Sequence, residues 1–330
     1  MLHGERTSRV RGVDHRGARL AALLPEWEAL WREHPRSTPF QAPAWQYHYW
    51  RCFSTGRLAV LTLRIGSTLA GVIPFCAGTD VMWILAASVT DIQDALFDDR
   101  MQEAIATVLQ RSLPRGVSLI LEDLPDGSAL LSLPAPPGWH DRKEPYASWP
   151  TLSFPAGAKA LSDILPASAL RNLRHAEHRA ARCGGMSIEE TRDDTLDAAL
   201  DVLFELHRKR WERRNLPGAL STEEVRTFHR SAARGLLNAG ILRLWLLRLG
   251  DKVAAAYYGF QHRGSAYYYL SGFDPAESYA NPGTLVVGHA IAVALAEGTR
   301  TFNFLRGREA YKYRWGAADT VAWRRTLTAV

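Results

Sequence analysis

Apolar positions recur at helical spacing over residues 20–34, where Leu20, Leu23, Leu24, Trp27, Leu30 and Trp31 share one face. Pro43 opens a short aromatic helix, in the first-turn position where a missing N–H costs nothing. Apolar runs at 58–65 and 68–75 flank Gly66-Ser67 and predict a hairpin. Strands are expected at 81–85 and 117–121, either side of a helix over 100–113. Residues 125–150 are rich in turn formers, including Pro134, Pro136, Pro137, Pro145 and Pro150, and read as a seam with a strand over 146–154 crossing it. Beyond it the order repeats. A basic helix over 168–183 ends at Gly184-Gly185, a strand spans 186–191, and helices span 196–214 and 222–238. A hairpin over 241–261 turns at Gly250-Asp251, followed by a strand at 265–273, a helix at 282–297 and a final strand at 301–305. Residues 1–19 read as flexible.

Each half thus runs helices, hairpin, strand, helix, strand, the pattern of a duplicated α+β domain with helices on a mixed, mostly antiparallel sheet. The length of 330 residues favours two domains, placed at 20–150 and 151–330. Charge divides with them. Residues 1–150 carry 15 basic and 16 acidic side chains, net −1; residues 151–330 carry 25 and 18, net +7, so an anionic ligand is expected in the second half. Cys52, Cys76 and Cys183 lack any metal-ligand or disulfide spacing, and the longest apolar run is too short to span a bilayer. A cytoplasmic protein without a metal is expected.

No GxxxxGK[ST], GxGxxG, GxSxG or HExxH motif occurs, which argues against P-loop, Rossmann, serine hydrolase and zinc protease chemistry. Three segments remain. In the first, SGFDPAESYANPGTL at 271–285, a strand leads through a loop to a helix opened by Asn281-Pro282-Gly283-Thr284. Free amides and the helix dipole make such an end a phosphate site, and equally Asn281 can be an ordinary cap. The second segment, after the last strand, crowds Arg306, Arg308, Glu309, Tyr311 and Lys312, with Glu309 suited to act as base and Tyr311 as acid, or all of them a solvated cluster. The third is the basic helix, whose Arg171, Arg174, His178 and Arg182 form one stripe for an anion or simply a solvated face. His207 and Trp211, four apart, line a pocket or pack a helix pair.

These motifs carry a resemblance. FQAPAW at 40–45, LRNLRHAEHR at 170–179, HRKRW at 207–211, YYLSGFDP at 268–275, NPGTL at 281–285 and FNFLRGREAYKYRW at 302–315 resemble the GNAT-fold acyltransferases labelled CelD-like (cellulose biosynthesis), related to the FemAB aminoacyltransferases. The resemblance implies two GNAT-like domains, with acetyl-CoA or another acyl-CoA as donor. Its pyrophosphate would lie at Tyr279, Asn281, Gly283 and Thr284, and the acceptor near Arg174, His207, Trp211, Asp274, Arg306 and Lys312. The acceptor is expected to be a small molecule or saccharide bearing an amine or hydroxyl, in polysaccharide or cell-envelope synthesis, with no DNA partner. Asn303 stands where the family usually carries aspartate. Two other readings share the fold: transfer from aminoacyl-tRNA, and coenzyme or nucleotide binding without turnover.

Overall fold

The computed structural model describes residues 8–14, 17–53, 56–112 and 116–329. By contacts the chain forms two compact units, Met1–Ala147 with Val321–Val330, and Ser148–Thr320.

The first unit opens with β1 (Ser8–Asp14), inside the stretch expected to be flexible, and α1 (Gly17–Glu33), which matches the helix expected over 20–34 and begins three residues earlier. The edge of β2 (Arg57–Ile65) gives every residue of β1 an antiparallel partner, which explains its order; residues 1–7, 15 and 16 lie outside the described residues. Then follow α2 (Pro43–Phe53), β3 (Thr68–Ala77), β4 (Val81–Ile84), β5 (Leu96–Phe97), α3 (Gln102–Ser112), β6 (Ser118–Pro125) and α4 (Ala129–Ser132). Leu113, expected to close α3, is outside the described residues. β7 (His140–Ser153) carries the chain into the second unit. There lie α5 (Ala167–Arg182), β8 (Met186–Glu190), α6 (Leu196–Glu212), α7 (Glu223–Asn238), β9 (Leu242–Leu249) and β10 (Lys252–His262). β11 (Ser265–Phe273), α8 (Pro282–Ala296), β12 (Thr301–Asn303) and α9 (Ala310–Arg314) complete it. The sequence predicts β12 as the final strand; instead β13 (Ala318–Thr328) follows, and from Val321 it belongs to the first unit, where it pairs with β6.

The two units share a plan. A hairpin (β2–β3, β9–β10) takes a third antiparallel strand (β4, β11), and a helical crossover then returns a parallel strand (β6, β12). Each parallel strand is flanked antiparallel by a strand from far along the chain, β13 beside β6 and β7 beside β12.

In the second unit the helices take opposite faces. Side chains of a strand alternate between faces. Tyr257 on β10 joins the core cluster with Leu173 of α5 and Ile291 of α8, whereas Tyr258 meets His229 of α7 on the other side. α8 is apolar nearly all round, the composition of a helix enclosed on most sides. On α5 the buried stripe Ala169, Leu173, Ala176 and Ala180 keeps its inner face small, and Leu173 fills the space above Gly288 of α8. On the other face α6 rests directly on β11. A Cβ on Gly272 would lie 2.5 Å from the His207 backbone nitrogen and 2.7 Å from the Leu206 carbonyl carbon. Gly272→Ala is therefore expected to push α6 off the sheet at a cost of about 1–3 kcal/mol, read as a lower denaturant midpoint with an unchanged m-value.

Candidate functional site

β11 and β12 hydrogen-bond in parallel over only three pairs, Ser265–Tyr267 with Thr301–Asn303. β11 continues to Phe273, while the other chain turns away after Asn303. The Leu305 amide donates to Asn303 Oδ1 at 2.7 Å, and Leu305 (φ +59°) and Gly307 (φ +109°) both take left-handed backbone. Asn303 is thus a turn residue. Between the diverging chains opens a cavity of about 520 Å³.

Its walls come from five elements. β11 gives Tyr268, Ser271 and Phe273; the start of α8 gives Asn281, Gly283, Thr284 and Val287; α5 gives Asn172, His175 and Arg179. Arg210 enters from α6, and Tyr311, Arg314 and Trp315 from α9 and its end. Tyr268 and Ser271 are three apart, which in a regular strand puts them on opposite faces. A bulge reverses this: Tyr258 pairs with Leu270 and Gly259 with Tyr268, so β11 holds one extra residue. The Tyr268 and Ser271 hydroxyls consequently share a short hydrogen bond.

At the start of α8, Asn281 adopts left-handed backbone (φ +54°), and its side chain makes no capping bond. Pro282 has no N–H, and the Thr284 and Leu285 amides both donate to Asn281 O, at 3.0 and 3.3 Å. Among the described residues no acceptor meets the Gly283 amide. A Cβ on Gly283 would sit 3.6 Å from the Phe273 ring, an ordinary contact, so its backbone is not what demands glycine.

The lining holds three arginines and a histidine but no carboxylate. Arg179 and Arg210 each bury an Nε that finds no hydrogen-bond partner. Arg210 lies 5.0 Å over the Phe273 ring and donates weakly to the Ser271 carbonyl (3.4 Å) and hydroxyl (3.3 Å). Burial, then the neighbouring Tyr268 and Glu309, push the Tyr311 hydroxyl well above the usual phenol range.

Asn281, Gly283, Thr284 and Tyr311, all expected from sequence, meet at this cavity. Others are elsewhere. Tyr279 is 55% exposed beside it, its ring under Arg179 at 5.8 Å and its hydroxyl accepting from Arg182. Arg174 sits one position round from the lining row of Asn172, His175 and Arg179, because the buried alanine stripe sets the rotation of α5. His207 and Trp211 are packed under Gly218, whose Cβ would meet their rings at 2.7 and 2.8 Å. Asp274 caps the turn at Pro275–Ala280 through the Ala276 amide and pairs with Lys209 at 2.9 Å. Lys312 is buried and spends its ammonium on the Leu305, Arg306 and Gly307 carbonyls at 2.7–3.2 Å. Glu309 is exposed, pairs with Lys312 at 3.0 Å and lies outside the lining, as does Arg306. Arg210, Tyr268 and Ser271 lie within the HRKRW and YYLSGFDP motifs but had no assigned site role; a bulge that brings Tyr268 and Ser271 to one face carries no local signal. Among the described residues no cluster of His, Cys, Asp or Glu forms a metal site, and no helix is long and apolar enough to cross a membrane.

Residues 167–313 match the family model of an acetyltransferase (GNAT) domain. No curated protein matches the chain. Among solved structures, FemX is similar over 95% of this chain and 96% of its own, with TM-score 0.64 and 11% identity. The C-terminal domain of a putative lysylphosphatidylglycerol synthetase from Agrobacterium fabrum covers 93% and 92%, with TM-score 0.60 and 13% identity. L-PGS from Bacillus licheniformis covers 95% and 92%, with TM-score 0.57 and 11% identity. The fold is accordingly that of two GNAT-like domains, and the residues that match the family model, 167–313, lie in the second unit.

Burial also acts on two histidines behind the site. It holds His207 down at about 4, helped by Arg210 and Arg226, and His229 at about 3, helped by His207. Unfolded histidines titrate near ~6.5. The unfolded chain therefore binds more protons between that value and the lowered ones, so stability is full above it and falls as pH drops. Thermal unfolding is expected to weaken from pH 7 to pH 5, and His207→Gln to flatten that dependence even if it lowers Tm throughout.

Proposed function

We propose that the second unit transfers an acyl group from a coenzyme A thioester to an amine or hydroxyl acceptor. The carrying observation is the cavity itself: cationic, free of carboxylates, and set against the open amide end of α8 between diverging parallel strands. The Gly283 amide, with Arg179 beside Tyr279, suits the pyrophosphate of the donor. The thioester would then lie along β11 towards Tyr268, Ser271 and Tyr311.

In this reading the acceptor attacks the thioester carbonyl, and the thiolate leaves as the new amide or ester forms. A phenol kept well above its usual range donates a hydrogen bond without surrendering its proton. That suits Tyr311 to stabilise the developing oxyanion more than to protonate the thiolate. His175, the imidazole in the lining, takes the acceptor's proton. Alignment of the two reactants supplies much of the remaining acceleration. A saccharide or cell-envelope acceptor, as in the CelD-like group, fits the polar lining.

Aminoacyl-tRNA as donor is a second reading, favoured by Arg171 and Arg174, exposed on α5 without a carboxylate partner among the described residues. The two separate by ligand. Acetyl-CoA at about a hundred times its dissociation constant stabilises a binding protein by roughly 2.7 kcal/mol. The expected result is a rise in Tm with acetyl-CoA that Gly283→Val removes, the isopropyl group entering the donor cleft without backbone strain. No rise with any acyl-CoA rejects the donor, and binding to aminoacyl-tRNA that weakens steeply with salt supports the alternative. Tyr311→Phe is expected to keep acetyl-CoA binding and lower kcat about 10²–10³-fold, the loss typical of one oxyanion donor. Unchanged kcat removes Tyr311 from the chemistry.

A further inference from the structure

We infer that the acyl acceptor carries a carboxylate and that Arg210 binds it. The inference rests on the acyl-transfer reading and adds the acceptor's chemical class.

Arg210 reaches the cavity from α6, on the face of the sheet opposite α5 and α8. The Phe273 ring lies between it and the donor end of the cavity: the ring contacts the Gly283 position, and the guanidinium sits over the ring at 5.0 Å. Arg210 is thus separate from the group of Gly283 and Arg179 suited to phosphate. It faces the hydroxyls of β11, and so the point where an attacking acceptor must stand.

Its charge meets no carboxylate among the described residues. The neighbouring cations on α6 are paired, Arg208 with Glu205 and Glu212, and Lys209 with Asp274. Arg210 has no carboxylate partner among the described residues, its Nε is shielded and unbonded, and its Nη1 holds only two long bonds to Ser271. Of the ionisable groups around it, the Tyr311 phenol is kept well above its usual range and the His207 imidazole well below, so neither supplies a negative charge to balance it. A half-buried cation in that state is costly, and an arriving anion removes the cost. One guanidinium flanked by the neutral donors Ser271 and Tyr268 matches a monoanion with two planar oxygens, a carboxylate. A phosphate dianion would leave a negative charge uncompensated at this point.

The test pairs amino acids, hydroxy acids and uronic acids with their own carboxamides. Each is offered to the wild-type chain and to Arg210→Gln and Arg210→Lys, with thermal shift as the binding readout and thiol release from acetyl-CoA as the transfer readout. The expected result is at least one carboxylate whose apparent affinity exceeds that of its carboxamide by about 30-fold or more. Arg210→Gln should erase the preference and Arg210→Lys restore part of it, both keeping the acetyl-CoA shift that shows the variants are folded. Equal response to acid and amide in every pair overturns the inference. So does binding of phosphorylated compounds alone, or a preference that survives Arg210→Gln. Absence of an acetyl-CoA shift in the wild type would instead sink the transfer reading, while the acid and amide comparison, run without coenzyme, still reads Arg210.

Discussion

The site depends on two parallel strands that stop pairing. β11 and β12 share three residue pairs and then diverge, because the Asn303 side chain and the left-handed Leu305 and Gly307 turn one chain out of the sheet. A parallel connection needs a crossover, and α8 is that crossover. Its first turn therefore sits at the end of β11, beside the gap. Ladder, helix start and cavity follow from one topological choice, and the first unit repeats it with β4 and β6.

Charge is then allotted by purpose. Away from the cavity, several arginines of the second unit meet carboxylates: Arg230 with Asp201, Arg234 with Asp193 and Asp197, Arg243 with Glu297, Arg248 with Glu189. Exposed pairs of that kind contribute little stability each. At the cavity Arg179, Arg210 and Arg314 have no such partner among the described residues. Lys312 is a different case, a buried cation spent on three carbonyls to hold the turn that starts α9 and so to place Tyr311.

Much of this was legible in the chain. Hydrophobic period and turn residues located the hairpins and the long helices, and the repeated order of elements anticipated two domains of one plan. The part played by the loop at 271–285 in the cavity wall was legible because its chemistry is local: a strand end, then an asparagine, a proline without N–H and a glycine at a helix start. What stayed hidden was non-local. β1 and β13 owe their order to partners far along the chain, and a charged strand such as ADTVAWRRTLT has no strong signal of its own. Arg174 was favoured over Arg179 because the stripe of charge was visible, whereas the alanine stripe that fixes the rotation of α5 is quiet. Lys312 and Asp274 looked like binding residues because buried caps and clamps use the same side chains as ligand sites.

The bulge in β11 divides that strand into two populations of side chains under different rules. Before it, the alternation of apolar and polar positions answers to the sheet, and a residue on the wrong face is simply a packing fault. After it the parity is reversed, so Ser271 and Phe273 present to the cavity the side chains that an unbroken strand would have buried against α6. Loss of the unpaired Tyr269 alone would keep Gly259 opposite Tyr268 and Tyr257 opposite Ser271, and so leave both hydroxyls at the cavity. Pairing the full-length strand without its bulge would instead turn Ser271 and Phe273 towards α6, so the site tolerates a regular strand only if the strand is one residue shorter.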